Sequence, residues 1–224
     1  MVKGPWELIN GPVADEIEDL NRATLANVTL ALVASRLERH ERRARRGAAK
    51  PPIPNEADLL LLHEAATRFL LRKPGQYRTC DVFVEDKARD FVLWGAPQEH
   101  VKRLMRRFFR DLTSQWTTGD PLDIAAYALW RIVSIHPFRH GNGRTANAFS
   151  YACLCLKLGA LLPGNETMMV SIPENPEPYW DALTIAHKSA ATGTPDFSAL
   201  KDYLDGLLLR QVRASTLAGR DHAG

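Results

Sequence analysis

Apolar positions recur at helical spacing along most of this chain, and a period of two appears in one place. From Asp15 to Arg39, Ile17, Leu20, Leu25, Val28 and Leu32, with Ser35 in step, predict a long helix burying one side. The extended break Lys50-Pro-Pro-Ile-Pro54 follows, and Asn55 caps a second helix with Leu59 to Leu62, Ala66, Phe69 and Leu70 inside. Within Thr79 to Trp94, Val82-Phe-Val84 and Phe91-Val-Leu93 flank a polar Glu85 to Asp90, which predicts a β-hairpin. Ala96-Pro97-Gln98 opens a helix through Leu112 with the stripe Val101, Leu104, Met105, Phe108 and Phe109. Next, Asp120 can cap a helix with Pro121 in its first turn and Leu122, Ala125, Ala126, Leu129, Ile132 and Val133 on one face. Pro137 disfavours helical geometry at His136, so that residue sits at the helix exit. Helices are also predicted over Arg144 to Leu162, Tyr179 to Ser189 and Phe197 to Val212. Gly164-Asn165 reads as a turn, Ser171 to Pro178 as an irregular loop and Gly219 to Gly224 as a frayed tail. The expectation is a mainly α fold, a helical bundle with a small hairpin. Residues 1–50 form an N-terminal helix and basic linker, 51–212 the main domain, and 213–224 a tail.

Composition narrows this only a little. At 224 residues and 45% hydrophobic content, the chain suits one compact domain with a substantial core. A net charge of +3 does not call for a nucleic-acid partner. The run Arg39 to Arg46 is basic, yet it has no interleaved aromatics to stack bases, and a solvated helix end explains it. Cys80, Cys153 and Cys155 lack metal-ligand spacing and read as free thiols in a reducing compartment. His63-Glu64-Ala-Ala-Thr67 departs from a zinc-protease helix where a second histidine would be needed, so no metal site is expected there. The N-terminus lacks a signal-peptide apolar core and no window reaches a membrane-spanning length, so a cytoplasmic protein is expected; an injected effector has the same appearance.

Chemistry concentrates in His136-Pro-Phe-Arg-His-Gly-Asn-Gly-Arg-Thr145. A glycine-bearing loop entering a helix presents backbone amides at the positive end of the dipole, a setting for phosphate oxygens. Arg144 adds a planar fork of donors in the first turn. His136 lies at the mouth of that cradle as a candidate general base. The residues therefore point to attack of a hydroxyl on a phosphorus centre.

This stretch resembles the signature of the Fic domain family, His-x-Phe-x-(Asp/Glu)-Gly-Asn-Gly-Arg-x-x-Arg, and the likeness covers roughly residues 51–212. By that resemblance the fold is Fic-like and His136 is the base that takes the proton of a target Ser, Thr or Tyr hydroxyl. Phe138 anchors the loop, Gly141, Asn142 and Gly143 form an anion hole, and Arg144 holds a nucleotide phosphate. The implied reaction is AMPylation, transfer of AMP from ATP to a protein hydroxyl. Pro74-Gly-Gln-Tyr-Arg78 and the hairpin resemble the family's flap, whose edge, here Thr79, Cys80, Asp81 and Val82, pairs with the target backbone.

Two positions depart from the signature. His140 stands where the family carries a magnesium-binding carboxylate, and Asn147 replaces its second arginine. Imidazole is a poor magnesium ligand, so a magnesium or manganese site would be degraded. His140 and Asn147 would then face nucleotide phosphates as neutral or weakly basic groups. Three readings stay open: a weakened AMP transferase, a transferase using another nucleotide donor, and a nucleotide- or phosphate-binding module without transfer. The Doc-like phosphotransferase branch typically has Lys where Gly143 stands, which disfavours that chemistry. The family's inhibitory-helix pattern, Ser/Thr-x-x-x-Glu, finds its nearest frame at Thr24 to Thr29, with Val28 in the glutamate position. The resemblance also admits a homodimer, and a toxin role with an antitoxin-like inhibitor covering the cradle.

Overall fold

The structure is a computed structural model that describes residues 15–48, 50–86, 91–164, 167–168 and 176–221. Seven helices and one two-stranded hairpin are present among them. They are α1 (Asp15–Ala44), α2 (Glu56–Thr67), β1 (Phe83–Asp86), β2 (Phe91–Trp94), α3 (Val101–Gln115), α4 (Pro121–Ile135), α5 (Asn142–Leu158), α6 (Pro176–Thr192) and α7 (Ser198–Asp221). A 3₁₀ turn over Gln98–His100 leads into α3.

The closely packed pair α4 and α5 forms the centre, with α1 and α2 covering α5 and α3 and α7 covering α4. Nearly all of α5 is buried, from Thr145 to Leu156, because α1 and α2 pack on one side and α4 on the other. Helix α3 lies on α4 through Met105, Phe108 and Leu112, with Phe108 touching Tyr127 and Phe149. Helices α6 and α7 pack on each other and on α4. Gln211 secures α7 to α5: its amide donates to the Tyr151 hydroxyl at 3.2 Å and the Pro163 carbonyl at 3.0 Å, and its oxygen accepts the Met168 N–H. All hydrogen-bonding faces of a buried amide are thereby used, which removes the desolvation penalty of placing it there.

Local chemistry explains most element ends. Asn55 and Asp58 form a reciprocal capping box at the start of α2, and the same Asp58 carboxylate pairs with Arg36 of α1. Asp120 accepts the Leu122 and Asp123 N–H groups at the start of α4. Several expectations are corrected. Helix α1 continues past Arg39 into the basic run, and its buried face is Asn21, Leu25, Thr29, Leu32 and Val33; Leu20 and Ser35 point outward. Phe69, expected inside, lies beyond the end of α2 with φ 65° and is exposed, while Leu70 is fully buried. Helix α5 stops at Leu158 because Gly159 takes φ 74° and returns its N–H to Cys155, so Leu162 is outside it. Helix α6 already begins at Pro176, and α7 runs unbroken through Val212 to Asp221, into the expected tail.

The hairpin is short, with Phe83 opposite Trp94 and Asp86 opposite Phe91. Val82 falls just before β1, with its carbonyl accepting the Gly95 N–H at 3.0 Å. The hairpin turn at 87–90, the N-terminal stretch 1–14, residue 165 of the expected turn, loop residues 171–175 and tail residues 222–224 lie outside the described residues. Cys80, Cys153 and Cys155 are free thiols, the last two buried in α5.

Candidate active site

His136 ends α4 in a left-handed conformation, φ 52° and ψ 58°, with its N–H still bonded to Ile132. A non-glycine residue there is uncommon and carries backbone strain, so the surroundings must hold it. They do so through Arg78. Its side chain is fully buried, and it donates to four carbonyls: His136 at 2.7 Å, Cys80 at 2.7 Å, Ile135 at 3.4 Å and Ala96. The Arg78 N–H adds a bond to Pro137 at 2.9 Å, and Ala96 N–H reaches Ile135. One guanidinium therefore joins the end of α4 to both sides of the flap. Gly95 fits this crowding, since a Cβ there would lie 3.0 Å from the Arg78 guanidinium and 3.1 Å from His136 Cβ and would press both apart.

The His136 ring is nearly buried, and its Nδ1 donates to the Val133 carbonyl at 3.2 Å. That bond assigns the tautomer and leaves Nε2 as the lone-pair nitrogen. Burial pushes the ring pKa down to about 4, aided by the charges of Arg78 and His140 and opposed by the Val133 bond. The imidazole is thus neutral across the ordinary pH range, as a proton acceptor must be.

Beyond His136 the loop is folded onto α2. Phe138 is fully buried and stacks on His63 at 3.7 Å with 5° between ring planes. His63 accepts the Gly75 N–H at Nδ1, 2.9 Å away, so its Nε2–H donates to the His140 carbonyl at 3.1 Å. Burial holds this histidine neutral too, with a pKa lowered to about 4. Asn142 turns both ends of its amide back on Phe138, accepting its N–H at 2.9 Å and donating to its carbonyl at 2.8 Å. Gly141 at φ 75° lies against Thr67, whose methyl would be 2.6 Å from an added Cβ. The two ends of His63-Glu64-Ala-Ala-Thr67, which spacing alone shows only as a failed zinc motif, thus shape the loop.

Asn142, Gly143 and Arg144 occupy the first turn of α5, where backbone N–H groups have no intrahelical acceptor. Thr145 is the first to bond back, to Gly141. The Asn142 side chain is a loop staple committed to Phe138, which leaves its backbone N–H as the group it presents at the start of α5. Gly143 faces open space.

Arg144 Nη2 donates to His140 Nε2 at 3.1 Å, and its Nη1 lies 3.8 Å from the Glu18 carboxylate of α1. The nearest sequence frame for the family's inhibitory glutamate put Val28 in that position, so no such glutamate was expected; the carboxylate that lies beside Arg144 is Glu18 of α1. Burial lowers the His140 pKa, with Arg144 adding to the effect. His140 is therefore a neutral acceptor beside a cation, a poor seat for a divalent metal. Among the described residues, no group of three or more His, Cys, Asp or Glu converges to hold a metal ion. Asn147 is buried on α5, with its Oδ1 lacking a hydrogen-bond partner.

On the flap, Thr79 and Asp81 are exposed, and the carbonyls of Cys80 and Val82 are taken by Arg78 and Gly95. Asp81 also accepts the Gln98 N–H at 2.9 Å. In the sequence Arg78 figured only as part of the Pro74-Gly-Gln-Tyr-Arg78 segment and His63 only within the rejected zinc motif; neither pattern showed the junction that each side chain holds.

Residues 53–154 match the model of the Fic/DOC family. Among curated relatives, a protein adenylyltransferase Fic of Nematostella vectensis is 35% identical over 82 residues, 36% of this chain and 18% of that protein. Another of the same name from Drosophila persimilis is 50% identical over 44 residues, 19% of this chain and 9% of that protein. The matched stretches are thus a small part of those relatives' length. A Fic domain containing signaling protein from Bacteroides thetaiotaomicron superposes with a TM-score of 0.68 at 19% identity, over 95% of this chain and 76% of that one, a likeness of fold. No helix among the described residues is long and apolar enough to cross a membrane.

Two outcomes follow. Arg78→Met strands four carbonyl acceptors at a buried junction and is expected to destabilise the protein by about 3–5 kcal/mol, or roughly 6–20 °C in Tm by calorimetry. His63 and His136, at about 4 in the fold, return to about 6.5 on unfolding, so the unfolded chain binds more protons between those values. Stability is fully present above about pH 6.5 and is lost as pH falls toward 4; urea unfolding against pH should show this loss, reduced in either single variant, His63→Gln or His136→Gln, and largely gone in the double variant.

Proposed function

We propose that this chain is a Fic-type transferase that moves a nucleotidyl group, AMP in the first instance, from a nucleoside triphosphate to a Ser, Thr or Tyr hydroxyl of a target protein. The observation that carries this is His136: a buried, neutral imidazole whose Nδ1 is committed to Val133, which leaves the lone pair on Nε2. A pure phosphate-binding loop has no use for such a base. The adenylyltransferase names of the curated relatives support the same chemistry.

In this reading the α-phosphate rests on the N–H groups of Asn142, Gly143 and Arg144, where the helix dipole favours an anion. The target hydroxyl oxygen forms a bond to the α-phosphorus while His136 Nε2 takes its proton. The bond from the α-phosphorus to the bridging oxygen of the β-phosphate breaks, and pyrophosphate leaves. Arg144, now shared with His140 and Glu18, turns to the phosphate oxygens. The residues at His140 and Asn147 do not fit a divalent metal, so no step is routed through one.

The engagement of Arg144 by Glu18 favours a second reading, a nucleotide-binding module whose transfer is weak. Intact-protein mass spectrometry after incubation with each nucleoside triphosphate separates the two. A nucleotide-sized gain in the wild type, absent in His136→Ala, is the expected outcome; no gain from any triphosphate, with calorimetric nucleotide binding intact, would remove the transferase reading. Glu18→Gln releases a partly exposed pair 3.8 Å apart, and about 0.2–1 kcal/mol is expected to return to nucleotide binding, tightening Kd by roughly 1.4- to 5-fold.

A further inference from the structure

A pocket of about 240 Å³ opens beside the catalytic loop, lined by Leu71, Arg72, Lys73, Gln76, Tyr77, Arg78, Thr79 and Arg139. Four of these side chains are cationic and none is a carboxylate. Arg78 is consumed by backbone carbonyls, whereas Arg72, Lys73 and Arg139 make no ion pair among the described residues. Arg139 lies in the loop between Phe138 and His140, and Thr79 lies at the start of the flap, so the pocket touches both the base-bearing loop and the segment that meets a target.

Three like charges gathered around a concavity repel one another, and an anionic occupant relieves that repulsion. Its size limits what enters. Sites for whole drug-sized ligands run from about 300 Å³ upward, so this pocket suits a single acidic group rather than an entire nucleotide. Asn142, Gly143 and Arg144 do not line it, which distinguishes it from the phosphate cradle.

We propose that this pocket receives an acidic side chain of the protein substrate, located within about four residues of the acceptor hydroxyl. The inference rests on the transferase reading for the meaning of that hydroxyl. An extended target segment advances about 3.3 Å per residue, so a residue near the hydroxyl held before His136 reaches the neighbouring pocket. Arg139 and Arg72 offer forked donors to its carboxylate, and Lys73 adds a point charge. Such a contact speeds encounter and selects acidic segments over neutral ones.

The test uses the full chain and two fluorescent peptide libraries centred on Ser, Thr or Tyr, one with Glu flanks and one with Gln flanks. Fluorescence anisotropy without nucleotide is expected to show the Glu library bound at least tenfold more tightly, with the difference shrinking in high salt. In the double variant Arg72→Glu, Lys73→Glu the preference should fall to within twofold, while Tm and binding of a non-hydrolysable ATP analogue stay at wild-type values. Equal behaviour of the two libraries with the wild type would overturn the proposal, as would a preference that survives charge reversal. Loss of ATP-analogue binding without loss of the Glu preference would assign the pocket to nucleotide and overturn it as well. Glu-library binding that is sensitive to charge reversal, with no mass transfer from any triphosphate, would support the acidic receptor and remove the transferase reading alone.

Discussion

The site depends on one buried guanidinium. Arg78 sits where the end of α4, the start of the flap and the strand return at Ala96 converge, and its donors satisfy a carbonyl from each. A peptide chain that stops being helical leaves its last carbonyls without partners, and here those carbonyls are buried. Arginine meets the need because its donors are spread in a plane and retain their charge in a dry setting. With that junction closed, His136 can stay in a left-handed conformation, and its ring is aimed by the Val133 bond.

The rest of the loop is built on a second, uncharged junction. His63 spans Gly75 and the His140 carbonyl with its two nitrogens and stacks its face on Phe138. Because each nitrogen has a fixed role, protonating this ring would break an acceptor contact while burying a charge. The loop is thus held in a form in which backbone N–H groups at the start of α5 point outward, and the same acid that would protonate His136 would loosen the loop. Stability and the charge state of His136 are joined through one pH range.

The neighbourhood of Arg144 follows from the two departures in the motif. With His140 in place of a carboxylate, the guanidinium donates to an imidazole nitrogen, and Glu18 of α1 supplies the nearby negative charge. Charge lost from the loop in sequence is in part supplied by another helix in space. Glu18 could not have been chosen from spacing, since α1 carries several carboxylates along its exposed faces and only the packing of α1 on α5 singles it out.

The helices of the core were legible from sequence because a 3.6-residue period and its end signals are local: Asp120 and Pro121 opened α4, and Asn55 opened α2. Where the reading failed, as at Leu20, Phe69 and the end of α5, the decision lay in which face met a neighbour or in a glycine taking a positive φ. The motif loop stood out in the sequence because glycine, arginine and histidine at that spacing have few other joint uses, and it is the reading of that loop as a phosphate cradle with a base that the proposed function carries forward. What tertiary structure alone decided was the state of those groups: the tautomer and neutrality of His136, the partners of Arg144, and the roles of Arg78 and His63. These are set by contacts between residues distant in the chain, 58 apart for Arg78 and His136 and 77 apart for His63 and His140. Hydrogen bonding and desolvation depend on such contacts, and no pattern along the chain encodes them.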